Sequence, residues 1–449
     1  MSQRIFKRKI YDKLLEWKKQ SDGRTALLIE GARRIGKSTI AEEFAKNEYD
    51  DYLIIDFSNA DEEIVELFSR MSDINRFFLK LQTYTDKSLP HRKSVVIFDE
   101  VQFCPKARQA IKHLVKDGRY DYIETGSLIS IKKNVKDILI PSEERHLDMY
   151  PMDFEEFLWA TGKKNKFDFI LDSYETLTPM GDSMNRRMME EFRLYMLVGG
   201  MPQAINAYLD FNDFAEVDKV KRDILRLYDE DFRKIDSLGR ASTIFNSIPS
   251  ELSRNTMRYK VGSVVEKGRI DRLGEVFSDI ADSKTVNMAY HADDPGVGFS
   301  LHANLDYFKM YLADTGLFIT LAFRDRDFTD NIIYRKLLAD KLPADLGYIY
   351  ENVVAQLLKT AGHSLFYYTF KEQPTDEKAR FYEIDFLLSR RDKVCPIEVK
   401  SSSYKSHKSL DKFQEKFSAR ISQRYLLYTK DIRKEQDIIC LPVYMAGLL

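Results

Sequence analysis

Apolar runs that alternate with helical patterns organise the N-terminal third of the 449-residue chain. Four short apolar runs predict buried strands, because strands covered on both faces of a parallel sheet read as continuous apolar segments. They occupy residues 26–29, 52–57, 94–98 and 120–127. Ahead of them, Phe6, Ile10, Leu14 and Trp17 recur at helical spacing and predict a helix packed on the next domain. Strands alternating with helices predict a parallel α/β sheet that binds its ligand at the C-terminal edge.

The rest of the chain divides into a mainly helical middle segment and a C-terminal segment with a helix and three strands. Residues 211–328 carry no catalytic constellation; residues 241–254 predict a helix, and residues 261–290 predict a turn, a helix and a strand. Helix, turn, helix and strand follow one another in the order of a winged helix. Further on, residues 346–362 predict an amphipathic helix. Three strands are predicted after it, at residues 364–370, 381–389 and 394–402.

The segment GARRIGKST joins the first predicted strand to a helical pattern. Two glycines separated by four residues, followed by Lys37 and Ser38, form a phosphate-binding loop when they stand between a strand and a helix. Its backbone N–H groups and the helix N-terminus favour a phosphate anion. We expect Lys37 to reach the β- and γ-phosphates of ATP and Ser38 to ligate Mg²⁺. The predicted nucleotide contacts are Gly31, Ala32, Arg33, Arg34, Ile35, Gly36, Lys37, Ser38 and Thr39.

Two acids stand where the third predicted strand ends, in the segment SVVIFDEVQ. Asp99 can bind the same Mg²⁺ through water, and Glu100 can orient or deprotonate the water that attacks the γ-phosphate. The fourth strand ends in Thr125, Gly126 and Ser127. Thr125 and Ser127 could sense the γ-phosphate from the neighbouring strand, or they could cap the helix that follows; the sequence leaves both interpretations open.

Three charged residues interrupt the last two predicted strands, at Asp385, Glu398 and Lys400. Because strand side chains alternate, Glu398 and Lys400 share a face, and Asp385 faces opposite to Ile384 and Phe386. Two carboxylates can hold a divalent metal, and a lysine can polarise a water against a phosphodiester. The alternatives are an ion-pair cluster on an exposed sheet face and a degenerate site retained for binding.

Several segments together resemble one protein family. GARRIGKST, FDEVQ, TGS, YPMDFEEFL and YMLVGGMPQAI occur in this order. The chain thereby resembles AAA-type P-loop ATPases of bacteria and archaea with a C-terminal nuclease-like domain. The resemblance implies a helical lid after the ATPase core, a winged-helix domain in the middle, and Arg145 as a trans-acting arginine finger, although the glycine expected before that arginine is absent.

The C-terminal segment separately resembles the PD-(D/E)XK nucleases. A helix, a strand with an aspartate and a strand with Glu-x-Lys follow one another in that superfamily. Glu351, on the predicted helix, together with Asp385, Glu398 and Lys400, matches its four positions. The resemblance implies that Glu351, Asp385 and Glu398 bind a second divalent metal, Mg²⁺ or Mn²⁺, and that Asp385, Glu398 and Lys400 are catalytic.

Composition bounds the partners of the protein. With 44% hydrophobic and 31% charged residues the chain is typical of soluble proteins, and its length suits two to four domains. No apolar run approaches the ~20 residues of a membrane helix, so we expect no membrane partner. Scattered Cys104, Cys395 and Cys440 predict neither a disulfide scaffold nor a metal site, and a reducing cytoplasm fits them best.

The net charge of −1 means that DNA binding would depend on local basic patches. One patch lies in the middle of the chain and would contact phosphates with little sequence specificity, unless it is only a solvated helix face or a protein contact. It comprises Arg254, Arg258, Lys260, Lys267, Arg269 and Arg272. A second basic group follows the C-terminal acids: Arg390, Arg391, Lys393, Lys405, Lys408, Lys412, Lys416 and Arg420.

These patterns predict an α/β protein with an AAA-type ATPase core at residues 1–148 and a helical lid at 149–210. A winged-helix-like domain is predicted at 211–335 and a PD-(D/E)XK nuclease-like domain at 336–449. The predicted function is Mg²⁺-dependent hydrolysis of ATP to ADP, coupled to DNA binding, with DNA cleavage as an extension. The alternative is an ATP-switched regulatory or binding module with an inert nuclease fold. A homo-oligomer or a protein partner is a further expectation.

Overall fold

The computed structural model describes residues 4–69, 71, 73–126, 141–254, 257–260, 264, 270–296, 298–324, 337–339, 347–372, 381–401 and 406–449. It divides into two compact units. The first comprises Met1–Tyr150 with Asp282–Lys284, and the second comprises Pro151–Ala281 with Thr285–Leu449. No helix in the described ranges combines the length and apolarity needed to cross a bilayer.

The first unit is a parallel sheet flanked by helices. Its five strands lie in the order β2-β3-β4-β1-β5 and all pair in parallel. The strands are β1 (Ala26–Glu30), β2 (Asp51–Asp56), β3 (Ser94–Asp99), β4 (Asp121–Gly126) and β5 (Glu144–Asp148). The helices are α1 (Ile10–Ser21), α2 (Lys37–Glu48), α3 (Glu62–Ser69), α4 (Ile74–Thr85) and α5 (Pro105–Asp117). Every residue of β1 is buried, as the continuous apolar run predicted.

The four predicted strands of this unit are confirmed to within one or two residues at each end. The predicted N-terminal helix is shorter than its apolar stripe. It begins at Ile10, and Ile10, Leu14 and Trp17 are buried, whereas Phe6 precedes it. This parallel α/β architecture fits the fold of a P-loop ATPase.

The second unit begins with helices and ends in a mixed sheet. Its helices are α6 (Phe154–Ala160), α7 (Lys164–Thr176), α8 (Asp182–Val198), α9 (Pro202–Phe211), α10 (Phe214–Ile235), α11 (Arg240–Ser253), α12 (Ile270–Asp282), α13 (Thr315–Ala322), α14 (Gly347–Thr360) and α15 (Lys408–Phe417). Its strands are β6 (Val286–Ala292), β7 (Ala303–Leu312), β8 (Leu365–Lys371), β9 (Phe381–Arg390), β10 (Lys393–Val399), β11 (Arg424–Tyr428), β12 (Arg433–Glu435) and β13 (Ile438–Pro442).

One eight-stranded sheet joins the middle and the C-terminal parts of the chain. Its order is β12-β13-β11-β10-β9-β8-β6-β7, so the two strands that precede residue 335 pair beside β8. β6 runs parallel to β8, and β9 pairs antiparallel with both β8 and β10. The winged-helix assignment and the three domain boundaries after residue 148 stay predictions, because residues 261–263 and 265–269, within the predicted turn and helix, lie outside the described residues.

The GGMP segment makes a close backbone crossing. A Cβ on Gly200 would lie 2.1 Å from the carbonyl oxygen of Met152. Asp314 accepts hydrogen bonds from the N–H groups of Gly200 and Leu317, and it thereby ties this crossing to the start of α13. Since the space admits only glycine, this part of the family resemblance reflects packing within the second unit.

A fully buried lysine lies beside this crossing. Lys221 on α10 donates to the carbonyl oxygens of Leu197 and Gly316, at 2.7 and 3.2 Å. Burial lowers the pKa of Lys221 to about 8, although the charges of Asp218 and Asp314 oppose the effect. The folded unit therefore carries a cation that titrates close to neutral pH.

Candidate functional site

The phosphate-binding loop lies between the C-terminal end of β1 and the N-terminus of α2. Gly36 precedes α2 with φ +96°, and Arg34 also has a positive φ of +70°. A Cβ on Gly31 would lie 2.4 Å from the carbonyl oxygen of Met149, so only glycine fits where the loop passes this backbone. The loop thus has the tight turn and the helix N-terminus that a phosphate group requires.

The side chain of Lys37 folds back onto the backbone of the phosphate-binding loop. Its side chain is 6% exposed, and its ammonium group donates to the carbonyl oxygens of Gly31 at 3.1 Å and Ala32 at 2.9 Å. Burial lowers the pKa of Lys37 below its ordinary value, while the negative charges of Glu100 and Asp99 oppose that change. The predicted lysine is therefore within electrostatic reach of both predicted acids.

Asp99 brings the predicted metal ligands together. Ser38 Oγ donates to Asp99 Oδ1 at 2.7 Å, and the Thr125 hydroxyl donates to the same carboxylate oxygen. Thr125 is fully buried and also accepts the backbone N–H of Glu100 at 3.2 Å. A hydroxyl and a carboxylate in contact beside a phosphate loop fit the oxygen ligands of Mg²⁺.

Glu100 follows β3 in the left-handed region, at φ +52°. Gln102 Nε2 donates to its carboxylate and so fixes its orientation. Gln102, which is 3% exposed, was not among the predicted site residues, although its place two residues after the acid in FDEVQ was visible in the sequence. The contact gives a buried polar side chain that can hold the Glu100 carboxylate in place.

The remaining predicted nucleotide contacts differ in exposure. Ala32 and Ile35 are buried, Arg33 and Thr39 are half-buried, and Arg34 is exposed. Ser127 lies outside the described residues, as do the residues after it where a helix capped by Thr125 was predicted. Arg145 on β5 is exposed, and its guanidinium donates to Gln20 Oε1 at 3.3 Å. Its role as an arginine finger stays a prediction.

Arg8 is a contact of the phosphate loop that sequence patterns did not reveal. Its guanidinium, 6% exposed, donates to the carbonyl oxygens of Ile35 at 2.9 Å and Tyr150 at 2.6 Å. The Ile35 carbonyl therefore points to Arg8. One of two arginines in a lysine-rich N-terminal segment gives no sequence signal for this contact.

In the second unit, charge interactions link the four residues of the predicted nuclease-type site. Glu351 lies on α14, Asp385 on β9 and Glu398 on β10, and Lys400 follows β10 directly. Lys400 Nζ is 2.6 Å from Glu398 Oε1. Asp385 Oδ2 accepts the backbone N–H of Val399 at 2.7 Å. Burial and the negative charges of Glu351 and Glu398, with that of Glu383, raise the pKa of Asp385 well above its ordinary value.

The simple alternation expected for β9 is wrong at Phe386. Between the pairs Phe366–Leu387 and Tyr368–Ile384, β9 advances three residues while β8 advances two, which is a β-bulge. Ile384 and Leu387 consequently join one apolar cluster, whereas the ring of Phe386 packs against Tyr311 on the carboxylate side. The bulge moves Phe386 to the face of β9 that carries Asp385, and residue counting could not reveal it.

Two further charged residues belong to this cluster. Lys309 on β7 is 4% exposed; its ammonium forms an ion pair with Glu383 and lies 3.9 Å from Glu351 Oε2. Sequence patterns gave no signal for Lys309, because it lies between the buried apolar residues Phe308 and Met310 on β7. Glu383 was visible from sequence, because it precedes Asp385 by two positions on the same strand.

Burial and ion pairing have opposite effects on the pKa values of this cluster. Burial raises the pKa values of Glu351 and Glu398, while Lys309 and Lys400, respectively, counteract the increase. Burial lowers the pKa of Lys309, but the charge of Glu383 and those of its other acidic neighbours together outweigh burial and leave that pKa well above its ordinary value. Lys400 therefore acts as the counter-charge of the buried Glu398, and Lys309 as that of the half-buried Glu351 and Glu383.

The fit of this cluster to a divalent metal is incomplete. Glu351 Oε2 is engaged by Lys309 and by the Tyr311 hydroxyl at 3.4 Å, and Glu398 Oε1 is engaged by Lys400. Only Glu398 Oε2 is buried without a hydrogen-bond partner among the cluster's four carboxylates. Throughout the described ranges, no three His, Cys, Asp or Glu side chains are grouped as metal ligands. In this arrangement the carboxylates do not form a metal centre.

Two residues of the predicted basic patch in the middle of the chain contact other side chains of the protein. Arg254 forms an ion pair with Glu251 at 2.5 Å, and the Arg258 guanidinium lies 4.2 Å from the centre of the Tyr307 ring. Lys260 is exposed. Lys267 and Arg269 lie outside the described residues, and only the backbone of Arg272 is described.

Comparisons with known families place the nucleotide site in a recognised domain. Residues 23–158 match a family described as an AAA domain. Residues 189–327 and 346–445 match two families described as domains of unknown function, DUF8612 and DUF4143. No curated protein matches the sequence.

Similar solved structures include two ATPase-related proteins. The Walker-type ATPase PABY2304 of Pyrococcus abyssi is 18% identical, with coverage of 71% of this chain and 96% of that chain and a TM-score of 0.41. The RuvB Holliday junction branch migration motor of Thermotoga maritima is 13% identical, with coverage of 63% and 89% and a TM-score of 0.29. The matched AAA domain contains the phosphate loop, both acids and Thr125, so the N-terminal part of this chain is similar to AAA-type P-loop ATPases.

Proposed function

We propose that this protein is a Mg²⁺-dependent ATPase. One observation carries the proposal: Ser38, which directly follows Lys37 at the start of α2, donates to Asp99 at the end of β3, and Glu100 comes next. A phosphate loop and an acid pair at the same edge of a parallel sheet form the arrangement that phosphoryl transfer uses. The similarity of residues 23–158 to the AAA domain family supports it independently.

Each side chain has a separate task in this mechanism. The loop N–H groups and Lys37 bind the β- and γ-phosphates, and Ser38 and Asp99 hold Mg²⁺, which neutralises developing charge on the phosphates. Glu100 orients the attacking water and accepts its proton as ADP leaves. Gln102 holds the Glu100 carboxylate, and Thr125 holds the Glu100 backbone and the Asp99 carboxylate.

Nucleotide titration and phosphate release test this division of roles. Lys37→Ala is expected to abolish tight ATP binding, since the γ-phosphate loses its nearest cation. Glu100→Gln is expected to bind ATP normally but to hydrolyse it at least about a hundredfold more slowly. Lys46→Ala, on the exposed face of the same helix, is the matched control and should behave as wild type. Equal loss of ATP binding in the Lys37 and Glu100 variants would contradict the assignment.

We further infer that the second unit binds DNA under control of the ATPase, with the C-terminal cluster as an inert or conditionally active nuclease fold. The proposal is supported by the convergence of Glu351, Asp385, Glu398 and Lys400 and by exposed basic residues nearby, including Lys408 and Lys416. Because phosphate contacts release counterions, DNA affinity should fall steeply with salt and depend little on sequence.

Charge reversal tests the DNA-binding surface. If reversing Arg254, Arg258 and Lys260 together leaves DNA affinity unchanged, that patch is not the contact and a protein partner becomes the better explanation. Cleavage is tested with Mg²⁺ and Mn²⁺ on single- and double-stranded DNA, with and without ATP. Cleavage that disappears in Asp385→Ala would assign it to the C-terminal cluster, and no cleavage under any condition would favour the inert fold.

A homo-oligomer is the remaining partner proposal, because an arginine finger acts across a subunit boundary. Arg145→Ala should then reduce hydrolysis but preserve ATP binding, and the defect should depend on protein concentration. An Arg145→Ala protein with normal turnover would remove the finger assignment.

A further inference from the structure

Lys309 is an unusual residue for its position. It lies on β7 between the buried side chains of Phe308 and Met310, and it is itself 4% exposed. A methionine could fill such a space without the cost of removing an ammonium group from water. The lysine instead contacts the carboxylates of Glu383 and Glu351. Its position calls for an explanation by charge rather than by packing.

The surrounding charges supply that explanation. The cluster has four carboxylates and two ammonium groups, so it holds more negative than positive charge when all are ionised. The carboxylates are Glu351, Glu383, Asp385 and Glu398, and the ammonium groups are those of Lys309 and Lys400. Buried carboxylates this close repel one another unless a cation separates them. Glu398 pairs with Lys400 through Oε1, while its buried Oε2 has no hydrogen-bond partner and is open to a further cation.

We propose that Lys309 is a built-in counter-ion that occupies the cation position of the C-terminal carboxylate cluster and competes there with a divalent metal ion of the Mg²⁺ or Mn²⁺ type. Glu351 contributes the clearest evidence, because its Oε2 is directed to Lys309 and Tyr311 instead of standing free as a ligand. This competition explains why the side chains of a nuclease-type pattern converge without forming a metal centre. The inference goes beyond ATP hydrolysis and does not depend on it.

Mn²⁺ titration of the full-length protein without nucleotide tests the competition. Lys309→Met removes the positive charge but keeps similar volume, and it is expected to raise Mn²⁺ affinity at least about tenfold over wild type, since a repelling charge is gone. Adding Asp385→Asn should cancel that gain and thereby place the ion in this cluster rather than at the phosphate loop. Lys371→Met, at a half-buried lysine on β8 that lies against the Phe381 ring, is the matched control and should leave Mn²⁺ binding unchanged.

The folding state of the variant gives a second measurement. If Lys309→Met is unfolded without metal, Mn²⁺ should restore its near-ultraviolet circular dichroism, because the ion replaces the lost counter-charge. A folded Lys309→Met with the Mn²⁺ affinity of wild type would overturn the proposal, as would an unfolded one that Mn²⁺ does not rescue. Neither result bears on ATP binding by Lys37, so this inference and the ATPase proposal fail separately.

Discussion

Lys221 gives the structure a pH dependence whose sign can be stated in advance. Its pKa is about 8 in the folded protein and 10.5 for an ordinary lysine. Between these values the unfolded chain binds more protons than the folded one, so the free energy of unfolding rises with pH. At about 1.4 kcal/mol per pKa unit, the cost of burying the charged lysine is about 3 kcal/mol below pH 8. It disappears progressively as the pH rises toward 10.5.

Lys221→Met removes this dependence. The variant loses the hydrogen bonds to Leu197 and Gly316, so we expect it to be less stable than the parent at every pH. The test is how the difference in unfolding free energy between parent and variant changes with pH. From about pH 7 to about pH 9.5 the parent should gain about 2 kcal/mol over the variant, because most of the burial cost is relieved only in the parent.

Tryptophan fluorescence can follow the correct unit during unfolding in urea. The chain has two tryptophans, Trp17 in the first unit and Trp159 in the second, so a Trp17→Phe background reports the unit that contains Lys221. Other groups titrate in both proteins and cancel in the comparison. A parent–variant difference that stays constant between the two pH values would refute the reasoning, since it would mean that Lys221 is not a buried cation.

Three further substitutions have directions set by the structure. Gly200→Ala places a Cβ 2.1 Å from a backbone carbonyl oxygen, so it should lower the free energy of unfolding by several kcal/mol or prevent folding, as measured by urea unfolding. Gly274→Ala is the control, because its added Cβ meets no atom within 4 Å. Arg8→Met should weaken ATP binding about tenfold by calorimetry, because the loop loses a charge-assisted bond, whereas Arg24→Met should not. Thr125→Val should lower the rate of ATP hydrolysis about tenfold and leave affinity nearly unchanged, measured by phosphate release; a large loss of affinity would assign it to binding instead.

The nucleotide site could be predicted from sequence because its information is local. A buried strand, a glycine-rich loop and a helix follow one another within residues 26–48, and the acid pair directly ends a second buried strand. Parallel strands place their C-terminal ends at one edge, so these short segments had to meet. Arg8 lacks such a signal, because its contact with Ile35 depends on how the N-terminal segment docks.

The C-terminal cluster was predictable only in part for a different physical reason. Asp385, Glu398 and Lys400 lie on consecutive elements, and their grouping followed from strand pairing. Lys309 comes from β7, separated from β9 by two strands in the sheet order, and only the tertiary fold brings its long side chain to Glu383. The β-bulge in β9 was equally hidden, because no glycine marks it.

The two lysine-containing sites differ in the kind of ion that each can accept. At the phosphate loop, Lys37 donates to neutral carbonyl groups, so its charge stays available to attract an anion. In the C-terminal cluster, Lys309 and Lys400 are paired with carboxylates that outnumber them, so a phosphate group approaching the fully ionised cluster meets net negative charge. A nucleic acid could therefore enter that cluster only together with an added cation, and otherwise only the outer basic residues could bind it. The protein thus contains one site suited to an anion and one suited to a cation. The ammonium group of Lys309 determines whether the cation site is occupied by the protein's own charge or by a metal ion.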